Sequence, residues 1–211
     1  MRENGGHAST RPPQPLMKSR PSTGNAGHVR IIGGRWRGTK LPVADVPGLR
    51  PSADRVRETV FNWLQPVLPG ARVLDLFSGS GAFGLESVSR GAREAHLVEQ
   101  DPAAHRLLQA STERLQARDA VHVHRADALA WLRAPLHGRF NVVFLDPPFA
   151  AGLWDAALAA LPPWLATDAW LYVESPAGET GPDADGWRLH REGRTREARY
   201  ALFRRLEPGT G

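Results

Sequence analysis

The sequence predicts an α/β protein: a Rossmann-like, mostly parallel sheet with an antiparallel C-terminal edge and a small N-terminal extension of β-hairpin and helix. Three observations point there. From residue 71 onward, short apolar runs alternate with amphipathic stretches. The first run leads into a glycine-rich turn, Gly79-Ser80-Gly81-Ala82-Phe83-Gly84. The last two runs follow one another with no helical stretch between them. A strand–helix alternation implies parallel strands covered on both faces, whereas consecutive strands without a crossover pair antiparallel.

The elements follow in chain order. Residues 1–28 carry Pro12, Pro13, Pro15 and Pro21 among Gly, Ser and Thr with no hydrophobic period, which predicts a disordered tail. Residues 29–66 form the extension. Val29-Arg30-Ile31-Ile32 and Lys40-Leu41-Pro42-Val43, separated by Gly33-Gly34, predict a hairpin whose tip is Arg35-Trp36-Arg37. Pro51 and Ser52 open a helix, with Ser52 the candidate N-cap. Val56, Val60, Trp63 and Leu64 give that helix one apolar stripe, with Arg55, Arg57 and Glu58 off it, and Pro66 and Pro69-Gly70 end it. Residues 67–207 form the main domain. Its strands are expected at Arg72–Phe77, Ala95–Glu99, Val121–Arg125, Asn141–Asp146 and Ala169–Glu174, with helices near 82–90, 102–117, 127–133 and 152–160. Trp187–Arg191 and Arg199–Arg205 complete the antiparallel edge.

Composition narrows the chemistry. The absence of cysteine excludes disulfides, thiolate metal sites and any cysteine nucleophile, and so disfavours methylation at C5 of a pyrimidine. No apolar run approaches the ~18 residues of a membrane span, and the N-terminus has no signal-peptide core, so a cytoplasmic protein is expected. The net charge of +5 is unevenly spread. Residues 1–60 hold 11 basic and 4 acidic side chains, the remainder 16 and 18. A basic N-terminal segment beside an acidic body suggests a polyanionic partner docked at one end. His122 and His124 alternate with valine and are expected on a solvated strand face, not in a metal site.

The glycine turn between a strand and a helix suits a nucleotide-type cofactor, since glycines permit a tight turn and close approach to backbone N–H groups. Dinucleotides and S-adenosylmethionine both fit at that point, and Glu99, ending the second strand, suits ribose hydroxyls in either. Further carboxylates discriminate. Asp75, before the glycines, can meet an ammonium group, and Asp127, after the third strand, can accept from an adenine amino group. Asp146-Pro147-Pro148-Phe149, at the end of the fourth strand, has no use in hydride transfer. An exocyclic amine of a base is a poor nucleophile because its lone pair is delocalised into the ring. A carboxylate (Asp146) and a backbone carbonyl (Pro147) can each accept one N–H and free that lone pair. Pro147 and Pro148 make the turn rigid, and Phe149 can stack on the base. The cofactor set is therefore Asp75, Phe77, Ser78, Gly79, Gly81, Glu99, Gln100, Asp127 and Ala128; the catalytic set is Asp146 to Phe149.

Asp146–Phe149 resembles the amino-methyltransferases that carry [Asp/Asn]-Pro-Pro-aromatic. The resemblance extends through Ile31-Ile32-Gly33-Gly34-Arg35-Trp36-Arg37-Gly38, Gly48-Leu49-Arg50-Pro51, Asp54–Thr59, Phe61-Asn62-Trp63 and Tyr172-Val173-Glu174. Over roughly residues 29–205 the chain resembles the RsmD family of 16S rRNA guanine-N2 methyltransferases, which act on guanine 966 of the small subunit. The resemblance implies the class I S-adenosylmethionine-dependent fold, an assembling small ribosomal subunit as partner, no metal, and a monomer. The docking face for RNA is expected at Arg30, Arg35, Arg37, Lys40, Arg50, Arg55 and Arg57. The last hairpin, Gly193 to Tyr200, is richer in arginine than the family pattern leads one to expect. A DNA adenine-N6 methyltransferase shares the tetrapeptide, but the chain has no room for an added recognition domain. A protein glutamine methyltransferase typically carries Asn-Pro-Pro-Tyr instead. A non-catalytic RNA-binding assembly protein would need neither the glycine turn nor the tetrapeptide.

Overall fold

A computed structural model describes Met1 and residues 27–45, 54–135, 138–178 and 186–206. The tail expected over 1–28 thus lies almost wholly outside the described residues, as do Ser52 and Arg50; His28 already begins a strand. The N-terminal hairpin pairs β1 (His28–Arg30) with β2 (Lys40–Pro42), closed by a 3-10 turn at Gly34–Trp36. The first helix, α1, spans Asp54–Leu64.

The main sheet uses β3 (Arg72–Asp75), β4 (Glu94–Glu99), β5 (Val121–Arg125), β6 (Phe140–Leu145), β7 (Leu165–Pro176), β8 (Trp187–Arg194) and β9 (Ala198–Arg205). Helices α2 (Ala82–Ser89), α3 (Pro102–Arg114), α4 (Ala128–Leu132) and α5 (Trp154–Ala160) cross between the parallel strands. The strand order is β5-β4-β3-β6-β7-β9-β8, parallel through β7 and antiparallel thereafter. The chain winds outward from β3 to β5, then returns to β3's other side at β6. That reversal opens a crevice at the C-terminal ends of β3 and β6, where ligands bind in such sheets.

Both faces of the central strands β3, β4 and β6 are buried, which is why these strands read as largely apolar runs. Val73, Leu97, Phe144, Tyr172 and Leu202 face α1, α2 and α3. Leu74, Val98, Val143, Leu171 and Phe203 face α4 and α5. The N-terminal extension shares its buried residues with the main domain: Ile31, Leu41, Val56, Val60 and Leu64 belong to the first cluster, and Val29 and Val43 pack on Ala82 of α2. The hairpin and α1 are therefore an elaboration of the main domain.

Four expectations need correction. Arg57 does not lie off the buried face of α1: its side chain is 0% exposed and pairs with Glu86 at 3.2 Å and Asp54 at 2.6 Å. Arg57, Phe61 and Leu64, at i, i+4 and i+7, form a second buried stripe because α1 packs on two sides. With no exposed atom, Arg57 leaves the RNA-docking set. His124 is half-buried beside Trp131 of α4 rather than on a solvated face, whereas the His122 side chain is 38% exposed. The strand expected at Ala169–Glu174 starts four residues earlier and ends two later. The first strand stops at Asp75 rather than Phe77, because the turn begins there.

Candidate active site

Asp75 ends β3 and is buried. Its Oδ2 accepts the Gly84 N–H of α2 at 3.1 Å, and its carbonyl accepts the Ser78 hydroxyl at 2.8 Å. Burial pushes its carboxyl up from 3.8 to about 7, and the nearby Glu99 charge pushes the same way, against the Gly84 hydrogen bond. Among the described residues no cation pairs with it. A buried carboxylate short of positive charge fits the ammonium group of an amino-acid moiety.

The glycine turn bridges β3 and β4. Gly79 adopts φ 52° and donates its N–H to Glu99 Oε2 at 2.8 Å, while Glu99 Oε1 accepts the Asp101 N–H at 2.7 Å. A carboxylate offers about four lone-pair directions, so Glu99 keeps capacity for hydroxyl donors. Gly81 and Gly84 do a different job from the close ligand approach expected of them. A Cβ at Gly81 would sit 2.3 Å from Leu108, and one at Gly84 2.7 Å from Leu97, so they bring α2 down onto β4 and α3. Asp127 is exposed after β5 and caps α4 through the Ala130 N–H at 2.9 Å. Gln100 is exposed beside Glu99, Ala128 is buried in the first turn of α4, and Phe77 is half-buried in the turn. Asp75, Glu99 and Asp127 thus stand at the C-terminal ends of three adjacent strands.

The tetrapeptide stands at the end of the fourth. Asp146 follows β6 and is half-buried, Pro147 is buried and Pro148 exposed. Phe149 opens a 3-10 turn and is 39% exposed, its ring centroid 6.2 Å from that of Trp154. Two neighbours went unassigned in the sequence. Tyr172, fully buried on β7, donates its hydroxyl to Glu174 Oε2 at 2.7 Å, and Trp154 Nε1 donates to the Glu174 carbonyl at 3.1 Å. Burial raises the Tyr172 hydroxyl well above its usual range, and the charges of Glu174 and Asp146 add to this. Leu145 pairs with Val173, so Asp146, just past β6, stands beside Glu174, which is still within β7. The signal available in the sequence was the shared position of both carboxylates at strand ends.

The basic residues divide. Arg30, Arg35, Arg37, Lys40 and Arg55 are exposed. The hairpin lies along α2, with Val29 and Val43 against Ala82 and the tip against Ser89. The Arg35–Arg37 tip therefore sits about one helix length, ~12 Å, from the glycine turn. Away from the crevice, Glu94, His96 and His122 place ligand-type atoms within 4.8 Å of one another. Glu94 is hydrogen-bonded to the Arg72 guanidinium, which opposes a second cation there. His96 is held neutral down to about pH 3, by burial first and then by His122 and His124. His96 also belongs to an aromatic cluster with His124, Trp131 and Phe140.

Residues 29–204 match the family described as Conserved hypothetical protein 95. The chain is 45% identical over 193 residues to the ribosomal RNA small subunit methyltransferase D of Escherichia coli, covering 90% of this chain and 96% of that one. A solved structure described as a putative methyltransferase from Escherichia coli superposes with a TM-score of 0.75 at 46% identity, over 86% of this chain and 99% of that chain. A putative methylase from Haemophilus influenzae gives 0.74 at 36%, over 86% and 100%.

Proposed function

Since the chain belongs to the Conserved hypothetical protein 95 family, that of ribosomal RNA small subunit methyltransferase D, we propose that it methylates the exocyclic N2 of a guanine in 16S rRNA, guanine 966, during small-subunit assembly. The methyl donor in this reading is S-adenosylmethionine. Asp146-Pro147-Pro148-Phe149 at the C-terminal end of β6, across the crevice from Asp75, is the observation that carries it.

When bound, the donor supplies a sulfonium methyl group; the rest of the chemistry is positioning. Asp75 takes the ammonium, Glu99 the ribose hydroxyls and Asp127 the adenine amine. Asp146 and the Pro147 carbonyl each accept one N–H of the guanine amine, so that the nitrogen lone pair leaves conjugation and points at the methyl group. Phe149, exposed and braced by Trp154, stacks on the extruded base. No strong base is needed before transfer, because the methylated, positively charged amine is very acidic and gives its proton to Asp146 or to water. Arg30, Arg35, Arg37, Lys40 and Arg55 hold phosphates, and Arg50, outside the described residues, stays in that set as a sequence expectation.

The test is incubation with labelled S-adenosylmethionine and three substrates: naked 16S rRNA, small subunits lacking the modification, and duplex DNA. N2-methylguanosine from an RNA substrate is expected. N6-methyladenosine from the duplex would replace this reading with the DNA one.

A further inference from the structure

β8 is the outermost strand of the sheet and is exposed along nearly its whole length. Arg188, Arg191 and Arg194 on it are exposed, whereas its one acid, Glu192, is bound to Arg199 at 2.6 Å. The pairing with β9 shifts between Leu189 and Arg191, so His190 is the extra residue of a bulge. Before the shift Arg188 stands opposite Arg204; after it Arg191 stands opposite Leu202. Cross-strand partners share a face. Arg188, Arg191 and Arg204 therefore lie on the face that α1 covers further in. Without the extra residue, Arg191 would fall on the other face.

The cluster has an aromatic centre. His190 packs edge-on against Trp170 at 4.9 Å, and the Arg204 guanidinium lies 5.8 Å from the same ring. His190 loses proton affinity to burial and then to the charges of Arg191, Arg188 and Arg204. Like charges directly opposite destabilise a sheet, and the Arg188–Arg204 pair is such a case. Asp168 lines the same groove as those two arginines, but among the described residues no acid pairs with Arg188, Arg191 or Arg204.

We propose that this bulged edge is a second RNA-docking surface, whose arginines hold the phosphate backbone on the side of the sheet away from the N-terminal hairpin. The hairpin packs on α2 and α3, over the other half of the sheet. The edge also reaches the active site. Arg194 pairs with Arg199 and Ala198 with Pro176, two residues past Glu174, so the turn carrying exposed Arg196 stands at the catalytic strand ends. A guanidinium row beside an aromatic ring suits a phosphate backbone. The inference rests on the proposed RNA substrate.

The experiment measures binding of unmodified small ribosomal subunits across a potassium chloride series, with single-turnover methylation on the same samples. The variants are Arg188→Glu with Arg191→Glu, and separately Arg194→Gln with Arg196→Gln in the exposed turn. For the first, affinity should fall about tenfold or more, and the log–log salt slope should shrink by about 1.4–1.8, two contacts' worth. KM for subunits should rise while the saturated rate and S-adenosylhomocysteine affinity stay unchanged. Its melting temperature should not fall, because a glutamate at position 188 would face Arg204. The second variant should shift affinity and slope in the same direction, and it decides the matter if the first does not fold. Wild-type affinity and slope in the variants, with an active wild-type enzyme, would overturn this surface alone. A wild-type protein that transfers no methyl group to subunits or to naked 16S rRNA would overturn the proposed function, and this surface with it.

Discussion

Asp75 and Glu86 are both buried carboxylates beside α2, and their surroundings are opposite. Glu86 is fully buried and surrounded by donors. Its oxygens accept the Ile32 and Gly33 N–H groups at 3.2 and 3.1 Å, Arg57 at 3.2 Å and Arg90 at 2.8 Å. It fastens the N-terminal hairpin and α1 to the main domain. Asp75 has backbone N–H groups of Gly84 and Phe77, a second carboxylate nearby and, among the described residues, no cation. A buried charge with all its partners is structural; one left short of them waits for a ligand. Burial lifts the Asp75 carboxyl to about 7.

The comparison is broken most forcefully at Glu86. Glu86→Ala removes the buried one of Arg57's two carboxylates, keeping only the exposed Asp54, and leaves two N–H groups without acceptors. Removing one partner of a buried pair costs about 3–5 kcal/mol, so urea unfolding should show a loss of that size. An unfolding midpoint close to wild type would mean that apolar contacts and the Ser89 hydrogen bonds suffice to hold the hairpin.

Asp75→Asn should act in the other direction. The folded-state value of about 7 lies above the unfolded 3.8, so the stability this group contributes is full below about pH 4 and is lost as pH rises through 7. The variant should therefore melt no lower than wild type at pH 8, and its stability should vary less between pH 4 and 7. Its affinity for S-adenosylhomocysteine should drop by about 10- to 100-fold, the loss of one hydrogen-bonded charge contact at roughly 1.5–3 kcal/mol. In the wild type that affinity should rise as pH rises through 7, because the ammonium needs the ionised carboxylate. Calorimetry across that range checks both, and a pH-independent affinity would remove Asp75 from the cofactor site.

The smallest effect is expected where neither carboxylate is touched. Arg35→Ala with Arg37→Ala should weaken subunit binding and lower the salt slope by about 1.4–1.8, leaving stability and cofactor affinity alone. An unchanged slope would make the tip a solvated surface.

The same contrast explains what could be read in the sequence. Asp75, the glycine turn, Glu99, Asp127 and Asp146 were legible because strand ends and turns leave local marks: apolar runs, glycines and a rigid proline pair. Glu86 was not, because nothing in Leu85-Glu86-Ser87 announces that Arg57 and the Ile32–Gly33 backbone will close over it. Arg57 was misread for the same reason, since periodicity classes an arginine as solvated whatever it meets in space. His124 alternates with valine as on a half-exposed strand, but Trp131 of α4 packs against it. β7 looked shorter because Thr167 and Asp168 are exposed and polar, although they lie within the strand. The arginines of β8 were visible, but the bulge that puts Arg188 and Arg191 on one face with Arg204 of β9 is a property of pairing and not of local sequence.

The account stands most directly on Asp146. Single-turnover methylation of unmodified small subunits should be measured for wild type, Asp146→Ala and Asp146→Asn at saturating cofactor. Loss of one well-placed acceptor in a dry site costs roughly 3–4 kcal/mol, so the alanine variant should be slower by about 10²–10³, with its fold and S-adenosylhomocysteine affinity kept. The asparagine variant should lose less, because its carbonyl oxygen still accepts an N–H. Turnover by the alanine variant near the wild-type rate would mean that Asp146 does not orient the target nitrogen, and would contradict the mechanism.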